Sequence, residues 1–454
     1  MLLGRNGELN QLNHYYEREG SQIIVVYGQK HIGKTALLQE FSKDKQAEYY
    51  MARSCSEREQ VFQWSRELRV AEISESEFPS YTDILTALMM GENGKKVLVI
   101  DEFQNMLKTG STFMAELVSF VHGPRNTGDM LVILTSSSVG WVENSMLKKI
   151  GDAAYRLSGL LKLKELKFKD CVDFFPGFTR PQCIEVYAML GGLPGLWSNF
   201  NDSLSIKENI LQNILSPTST LFYEAERLLS EELRETAVYN TLLASIAGGR
   251  YKLNDLYKHT GFSRAKISVY LKNLMELEIV EKIFSYDTEG NDNVQKGVYR
   301  ISSRFMHFYY KFIYPHMSAL MTQEAEAFYT ANMEPELKTY VAGYFKAVCR
   351  EHMEKMNEEG QLPFVYDRAG EWVGKEGNID MIAQDEETHT ILVLCNYEKP
   401  IMTYEDYEKL LYCAGKARLR IDYIFLYSIG RFDEKLYLEA KVKGNMTLVP
   451  MSEL

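Results

Sequence analysis

Up to about residue 160, apolar positions come in short runs of strand length separated by stretches with a helical repeat. Ile23 to Val26, Val97 to Ile100 and Leu131 to Leu134 are continuous apolar runs, and each reads as a buried strand. Glu48 to Ala52 reads as a second strand in chain order, and Tyr155 to Leu157 as a last one. Between them, Ala36, Leu37, Leu38 and Phe41 form one helical stripe. Glu57 to Ala71, carrying Phe62, Trp64 and Leu68, forms a second, and Tyr81 to Met90 a third. An opening segment from Leu3 to Leu9 runs into a helix through Leu12, Tyr15 and Tyr16. Strands alternating with helices predict an α/β core built on a parallel sheet covered on both faces.

The rhythm then changes. From Leu160 to about Ser230 it is helical, broken by Gly191-Gly192-Leu193-Pro194-Gly195, which reads as a turn between helices of a lid following the core. Ala237 to Ile246 and Leu253 to His259 are two short helices. After Thr260-Gly261-Phe262, Ser263 is placed to cap a third helix that buries Ile267, Tyr270, Leu271, Leu274 and Leu277. Ile279 to Phe284 and Val298 to Ile301 then pair as a wing, which completes a winged helix-turn-helix pattern. Phe305 to Tyr314 is densely aromatic and reads as an apolar seam between domains rather than a base-stacking surface. From about Met333 the chain gives a helix, strands at Ile379 to Ala383 and Thr390 to Cys395, a helix at Tyr404 to Ala417 and a strand at Asp422 to Tyr427.

Four domains follow: residues 1–160 as core, 161–229 as lid, 230–315 as winged helix and 316–454 as a final α/β domain. The 454 residues exceed one ordinary core. With 45% apolar and 25% charged residues the balance is that of a soluble globular protein. No apolar run is long enough to span a bilayer and the first residues lack signal-peptide architecture, so a cytoplasmic protein is expected. Cys55, Cys171, Cys183, Cys349, Cys395 and Cys413 are scattered without C-x-x-C spacing and imply no metal site. A net charge of −11 argues against a surface that coats nucleic acid, though not against one basic face.

The strongest chemistry lies directly after the first strand. Gly28, Gly33, Lys34 and Thr35 satisfy G-x-x-x-x-G-K-[ST] without a mismatch. Gly28 and Gly33 are expected to supply backbone angles closed to other residues, so that the N–H groups of Gly28, Gln29, Lys30, His31, Ile32 and Gly33 wrap a phosphate. The helix starting near Lys34 aims its own N–H groups at the same anion, Lys34 adds a positive charge, and Thr35 offers a hydroxyl to Mg²⁺. The second apolar run ends in Asp101-Glu102, which assigns Asp101 to the metal and Glu102 to the water as candidate base. Ser136, with Thr135 and Ser137, ends the next strand beside Glu102, where one hydroxyl could sense hydrolysis. Arg125 and Arg156 are candidates for a charge-stabilising arginine.

These landmarks, Tyr27-Gly28 to Thr35, Ile100 to Gln104, Thr135 to Ser137 and Gly191 to Pro194, resemble in order those of the archaeal-type ATPases, a branch of the AAA+ and STAND-like P-loop proteins. The resemblance implies ATP as the nucleotide, in line with the absence of a guanine-reading N-K-x-D. It gives Arg5 and Glu8 two readings, a helix-start charge pair or a side wall of the nucleotide pocket. It also implies that the last domain has the restriction-endonuclease-like PD-(D/E)XK fold, which needs an Asp ending one strand and Glu-x-Lys on the next. Asp380 stands at the first position, but Leu394-Cys395-Asn396 occupies the second, and Lys346 falls near a helix position that often carries Glu. A nuclease fold without nuclease chemistry is expected.

If the winged helix binds duplex DNA, Arg264, Lys266, Ser268 and Lys272 on its third helix make the contacts. From Arg250 to Lys282 there are seven Lys or Arg against four Asp or Glu, a local +3. The wing loop with Asp287, Glu289 and Asp292 would instead repel phosphate. The expectation is a Mg²⁺-dependent ATPase switch acting on DNA or a protein partner, with no membrane role. The alternatives are an ATP-driven nuclease or translocase and a scaffold that holds nucleotide without hydrolysing it.

Overall fold

The apolar runs of the first 166 residues become strands β1 (Gln22–Tyr27), β2 (Ala47–Met51), β3 (Lys96–Asp101), β4 (Met130–Ser136) and β5 (Gly159–Lys162). All five are parallel, in the order β2-β3-β4-β1-β5. Continuous burial along β1, β3 and β4 fits strands packed on both faces, whereas β2 at one edge buries only Tyr50. Helices α1 (Asn6–Glu17), α2 (Lys34–Ser42), α3 (Glu57–Glu67), α4 (Tyr81–Met89) and α5 (Phe113–Val121) supply the remaining apolar faces. Leu37, Leu38 and Phe41 are buried on α2, and Trp64 on α3 stacks on Tyr50 with centroids 4.5 Å apart. A capping box between Ser80 and Asp83 starts α4.

The computed structural model describes residues 2–68, 79–90, 94–107, 110–126, 128–287 and 297–454. The wing-loop acids Glu289 and Asp292 lie outside them. The chain forms two units by contact, Met1–Leu166 with Leu193–Gly195, and Lys167–Gly192 with Leu196–Leu454. The stretch expected to be a lid, apart from residues 161–166 and Leu193–Gly195, thus belongs to the second unit.

One strand differs from expectation. Tyr155 to Leu157 is not a strand, because Gly151–Arg156 winds into a tight 3₁₀ turn that leaves Tyr155 exposed. The ladder starts after it, with the Ser158 N–H donating to the Ile23 carbonyl and Gly159 opposite Ile24. A Cβ at position 159 would stand 2.0 Å from the Tyr15 hydroxyl, so a larger residue there requires the Tyr15 side chain to move.

In the second unit, helices Thr236–Ala247, Leu253–Thr260 and Arg264–Glu276 are followed by the antiparallel pair β6 (Val280–Ile283) and β7 (Val298–Ile301). Ser263 caps the third helix, accepting the Lys266 N–H at 3.2 Å. The aromatic run is a buried seam, with Phe305, Phe308, Tyr309, Tyr310 and Phe312 each at most 3% exposed. Tyr310 donates to Asn240 Oδ1 at 2.7 Å, and Tyr340, packed on Phe308 and Phe312, donates to the Ala188 carbonyl. The seam therefore joins the first winged-helix helix, the helix Arg180–Leu190 and the long helix Glu334–Glu358.

That long helix leads into a five-stranded mixed sheet. Strands β8 (Arg368–Val373) and β9 (Asn378–Gln384) are antiparallel, as are β9 and β10 (Thr390–Asn396). After the helix Tyr404–Ala417, strands Tyr423–Ser428 and Met446–Pro450 continue from β10 in parallel. Strands β8 and Met446–Pro450 were not anticipated, because edge strands half open to solvent carry a weak alternation.

Two stability outcomes follow. Trp64→Ala removes a fully buried ring from the first unit and is expected to cost about 3–5 kcal/mol, read by denaturant unfolding; a loss below about 1 kcal/mol would mean the Tyr50 stack contributes little. In the second unit, burial and the nearby Lys311 and Arg300 charges push His307 down to about 4, with its Nδ1 2.5 Å from the Tyr344 hydroxyl. A depressed folded-state value means stability present above about 6.5 and lost as pH falls toward 4, by roughly 2–3 kcal/mol. His307→Phe should flatten that slope in pH-dependent melting curves; an unchanged slope refutes the assignment.

Candidate nucleotide site

The phosphate loop leaves the C-terminal end of β1, where ligands of parallel sheets gather. Gly28 donates its N–H to the Ser136 carbonyl at 3.2 Å, and a Cβ on it would lie 2.8 Å from the Leu163 carbonyl oxygen. Its requirement is space, not the unusual backbone angle expected from the sequence. That angle occurs at Gly33 (φ +95°) and at His31 (φ +64°), a residue with a side chain. Ile32, between them, is 1% exposed and anchors the loop, and a Cβ on Gly28 would meet its side chain too. Lys34 is buried, its Nζ donating to the carbonyls of Gly28 (2.8 Å) and Gln29 (3.2 Å). Thr35 follows on the exposed first turn of α2.

Three contacts from distant parts of the first unit hold the loop. Arg5 is 3% exposed; its Nη2 donates to the carbonyls of Ile32 (2.9 Å) and Lys164 (2.8 Å), and its Nη1 pairs with Glu8 at 2.8 Å. Both readings of the Arg5-Glu8 pair thus merge, with the ion pair orienting a guanidinium that ties the loop to the end of β5. On the other side, the Gly195 N–H donates to the His31 carbonyl at 2.9 Å, and a Cβ on Gly195 would collide with His31. Leu193–Gly195 is therefore fitted against the loop.

Asp101 and Glu102 end β3. Asp101, 6% exposed, accepts hydrogen bonds at Oδ1 from the Thr135 hydroxyl and the Glu102 N–H, and at Oδ2 from the Tyr49 hydroxyl. Glu102 has left-handed backbone (φ +52°), which turns its side chain off the strand. Its Oε2 accepts from the Ser137 N–H (3.1 Å), the Ser137 hydroxyl (2.8 Å) and Gln104 Nε2 (2.5 Å). Ser136, named from the sequence as the phosphate contact, is fully buried and its hydroxyl accepts the Ser138 N–H. The flanking Thr135 and Ser137 engage the acidic pair instead, because their side chains share the opposite face of the strand end. Arg125 and Arg156 are both exposed.

Residues 2–200 match the model of an ATPase domain found predominantly in Archaea. This part of the chain is similar to that family. Residues 309–409 match a family of archaeal and bacterial proteins of unknown function. An uncharacterized protein of Methanocaldococcus jannaschii is 27% identical over 391 residues, 85% of each chain. Among solved structures, the Walker-type ATPase of Pyrococcus abyssi is 16% identical with a TM-score of 0.47, covering 68% of this chain and 96% of that one. The ORC2 protein of Aeropyrum pernix is 15% identical with a TM-score of 0.45, covering 71% and 96%.

Beyond the archaeal-type ATPase domain, the chain carries its other candidate sites. Arg264, Lys266, Ser268 and Lys272 are exposed on the third winged-helix helix. Arg264 lies over the Tyr257 ring and donates to Asn254 at 2.7 Å, Lys266 lies over Phe262, and Lys272 pairs loosely with Glu276 at 3.7 Å. In the C-terminal sheet, Asp380 accepts the Cys395 N–H at 2.9 Å, and burial raises its pKa against that bond and Lys346. At the position of the missing Lys, Asn396 closes a turn through the Lys399 carbonyl (2.8 Å) and Ser428 (3.0 Å). Lys346 pairs with Glu371 at 2.9 Å, and Arg300 reaches the same carboxylate at 3.4 Å. Burial alone would raise Glu371, but Lys346, Arg300 and Arg350 together hold it below the ordinary carboxylate value. Among the described residues no group of three or more His, Cys, Asp or Glu could hold a metal, and no helix is long and apolar enough to cross a membrane.

The missed residue is Tyr49, for which the period-two alternation separating it from buried Tyr50 was the available signal. Since Arg5 holds two carbonyls at once, Arg5→Ala is expected to weaken ATP binding about tenfold, measured by calorimetry. Affinity within twofold of the parent would show that the loop keeps its shape unaided.

Proposed function

We propose that the chain is a Mg²⁺-dependent ATPase whose nucleotide state governs contact with duplex DNA. The observation that carries the ATPase reading is the pairing of an intact phosphate loop with two adjacent carboxylates, each held by a hydroxyl from the neighbouring strand. Thr35 and Asp101 offer hard oxygen donors suited to Mg²⁺, which when bound neutralises charge on the phosphate oxygens. Lys34 exchanges its loop carbonyls for the outer phosphates. Glu102 orients a water for in-line attack and takes its proton, and the Ser137 contacts keep that carboxylate from rotating away. Its place in the cytoplasm accords with six free cysteines.

The DNA reading is supported by the capped third helix and its exposed basic side chains. The protein-partner reading fits the same helix, since Val269 is 57% exposed between the basic positions. Nuclease chemistry is absent in this reading, because the metal-binding and lysine positions of the second strand are Leu394 and Asn396, one packed and one closing a turn. One observation favours the rival enzyme: Asp380, Glu371 and Lys346 line one cleft of about 570 Å³. Metal-dependent nicking of plasmid DNA that is lost in Asp380→Ala would establish it.

The test uses Glu102→Gln, which is expected to bind ATP while turnover falls at least about a hundredfold. Duplex DNA binding by this variant should differ between ATP and ADP and weaken with salt. Arg264→Ala with Lys266→Ala should reduce the salt slope by about 2. Turnover unchanged in Glu102→Gln refutes the catalytic base, and DNA binding absent in every nucleotide state refutes the DNA arm.

A further inference from the structure

Strand geometry fixes what β2 presents to each side. Tyr50 enters the core, whereas Tyr49 on the opposite face is 45% exposed. Strand β2 lies at the sheet edge and pairs in parallel with β3, Tyr49 opposite Val99 and Met51 opposite Asp101. The Tyr49 ring spans those two residues along the strand, so that its hydroxyl donates to Asp101 Oδ2. The other oxygen of Asp101 is already committed to Thr135 and the Glu102 N–H. Oδ2 is therefore the oxygen that Tyr49 and a cation must share.

We propose that Tyr49 is a built-in competitor for the metal position, holding Asp101 Oδ2 and yielding it only when Mg²⁺ arrives with nucleotide. The inference rests on the ATP reading above. An O–H donated to a carboxylate oxygen draws on the charge that a hard cation needs and crowds its approach, so each weakens the other's hold on Oδ2. Without a cation, the link gives the buried Asp101 carboxylate a third donor and lowers the cost of keeping its charge out of water. With a cation, Tyr49 has an open side to swing into, because its strand is an edge and nearly half of the residue is already in solvent. Magnesium affinity is thereby set below what Thr35 and Asp101 alone would give.

The test is calorimetric titration of the full chain with AMPPNP, a non-hydrolysable ATP analogue, in Mg²⁺ and in EDTA. Tyr49→Phe is expected to bind about three- to tenfold more tightly than the parent in Mg²⁺, with no change in EDTA. Its melting temperature without ligand should fall, and Tyr49→Leu, also lacking the hydroxyl, should show the same gain. Equal or weaker Mg²⁺-dependent affinity in Tyr49→Phe overturns the competitor role while leaving the ATP reading intact. Failure of parent and variant to bind AMPPNP in either medium overturns the ATP reading and this inference with it.

Discussion

The constraint on which the N-terminal unit depends is the enforced shape of six residues between β1 and α2. A loop that turns its N–H groups toward one point has few hydrogen bonds of its own, and left alone it would relax into many conformations. Here that entropy is offset from outside. Arg5 grips the Ile32 carbonyl, Gly195 grips the His31 carbonyl, and Gly28 is pressed against Leu163 too closely for any side chain. His31 keeps a left-handed backbone angle because its neighbours leave no other. The loop is pre-organised by residues as far along the chain as the turn before helix Pro194–Trp197.

Charge is handled by a similar logic opposite the loop. Two carboxylates side by side at a strand end are costly to bury unless each has donors of its own. Thr135 and a backbone N–H serve Asp101, and Ser137 serves Glu102, so one strand end satisfies both acids and fixes their directions. The chain between Leu193 and Gly195 enters the first unit while Gly192 and Leu196 belong to the second.

In the second unit the polar groups of the C-terminal sheet serve structural contacts. Asp380 accepts a backbone N–H from the adjoining strand, which contributes Leu394 to the core and Asn396 to a turn. The charges that remain are engaged with one another: Lys346 and Arg300 on Glu371, Arg300 also on Glu281. These pairs run from the wing strands to the nuclease-like sheet, and the aromatic seam runs beside them. Apolar burial supplies most of the adhesion, and the ion pairs select the geometry.

Much of this was legible from residue order, because local patterns obey local physics. The phosphate-loop spacing, the acidic pair after an apolar run, the Ser263 cap and the 404–417 helix follow from periodicity and short-range chemistry, and the structure bears them out in place. The failures lie where distant segments decide. Tyr155 to Leu157 has strand-like residues but no partner in register until Gly159, and the adjacent hydroxyls of residues 135–137 were sorted only by which faced the acids. No short-range signal marks Arg5 as the clasp of a loop 27 residues on, or Tyr49 as the donor to a carboxylate 52 residues on. The sequence alone determined which chemistry is present and on which elements it rides, since a phosphate loop is encoded in eight consecutive residues. Only the tertiary structure decided which side chains share an oxygen, because that depends on strand order and register, which bring together residues with no local relation.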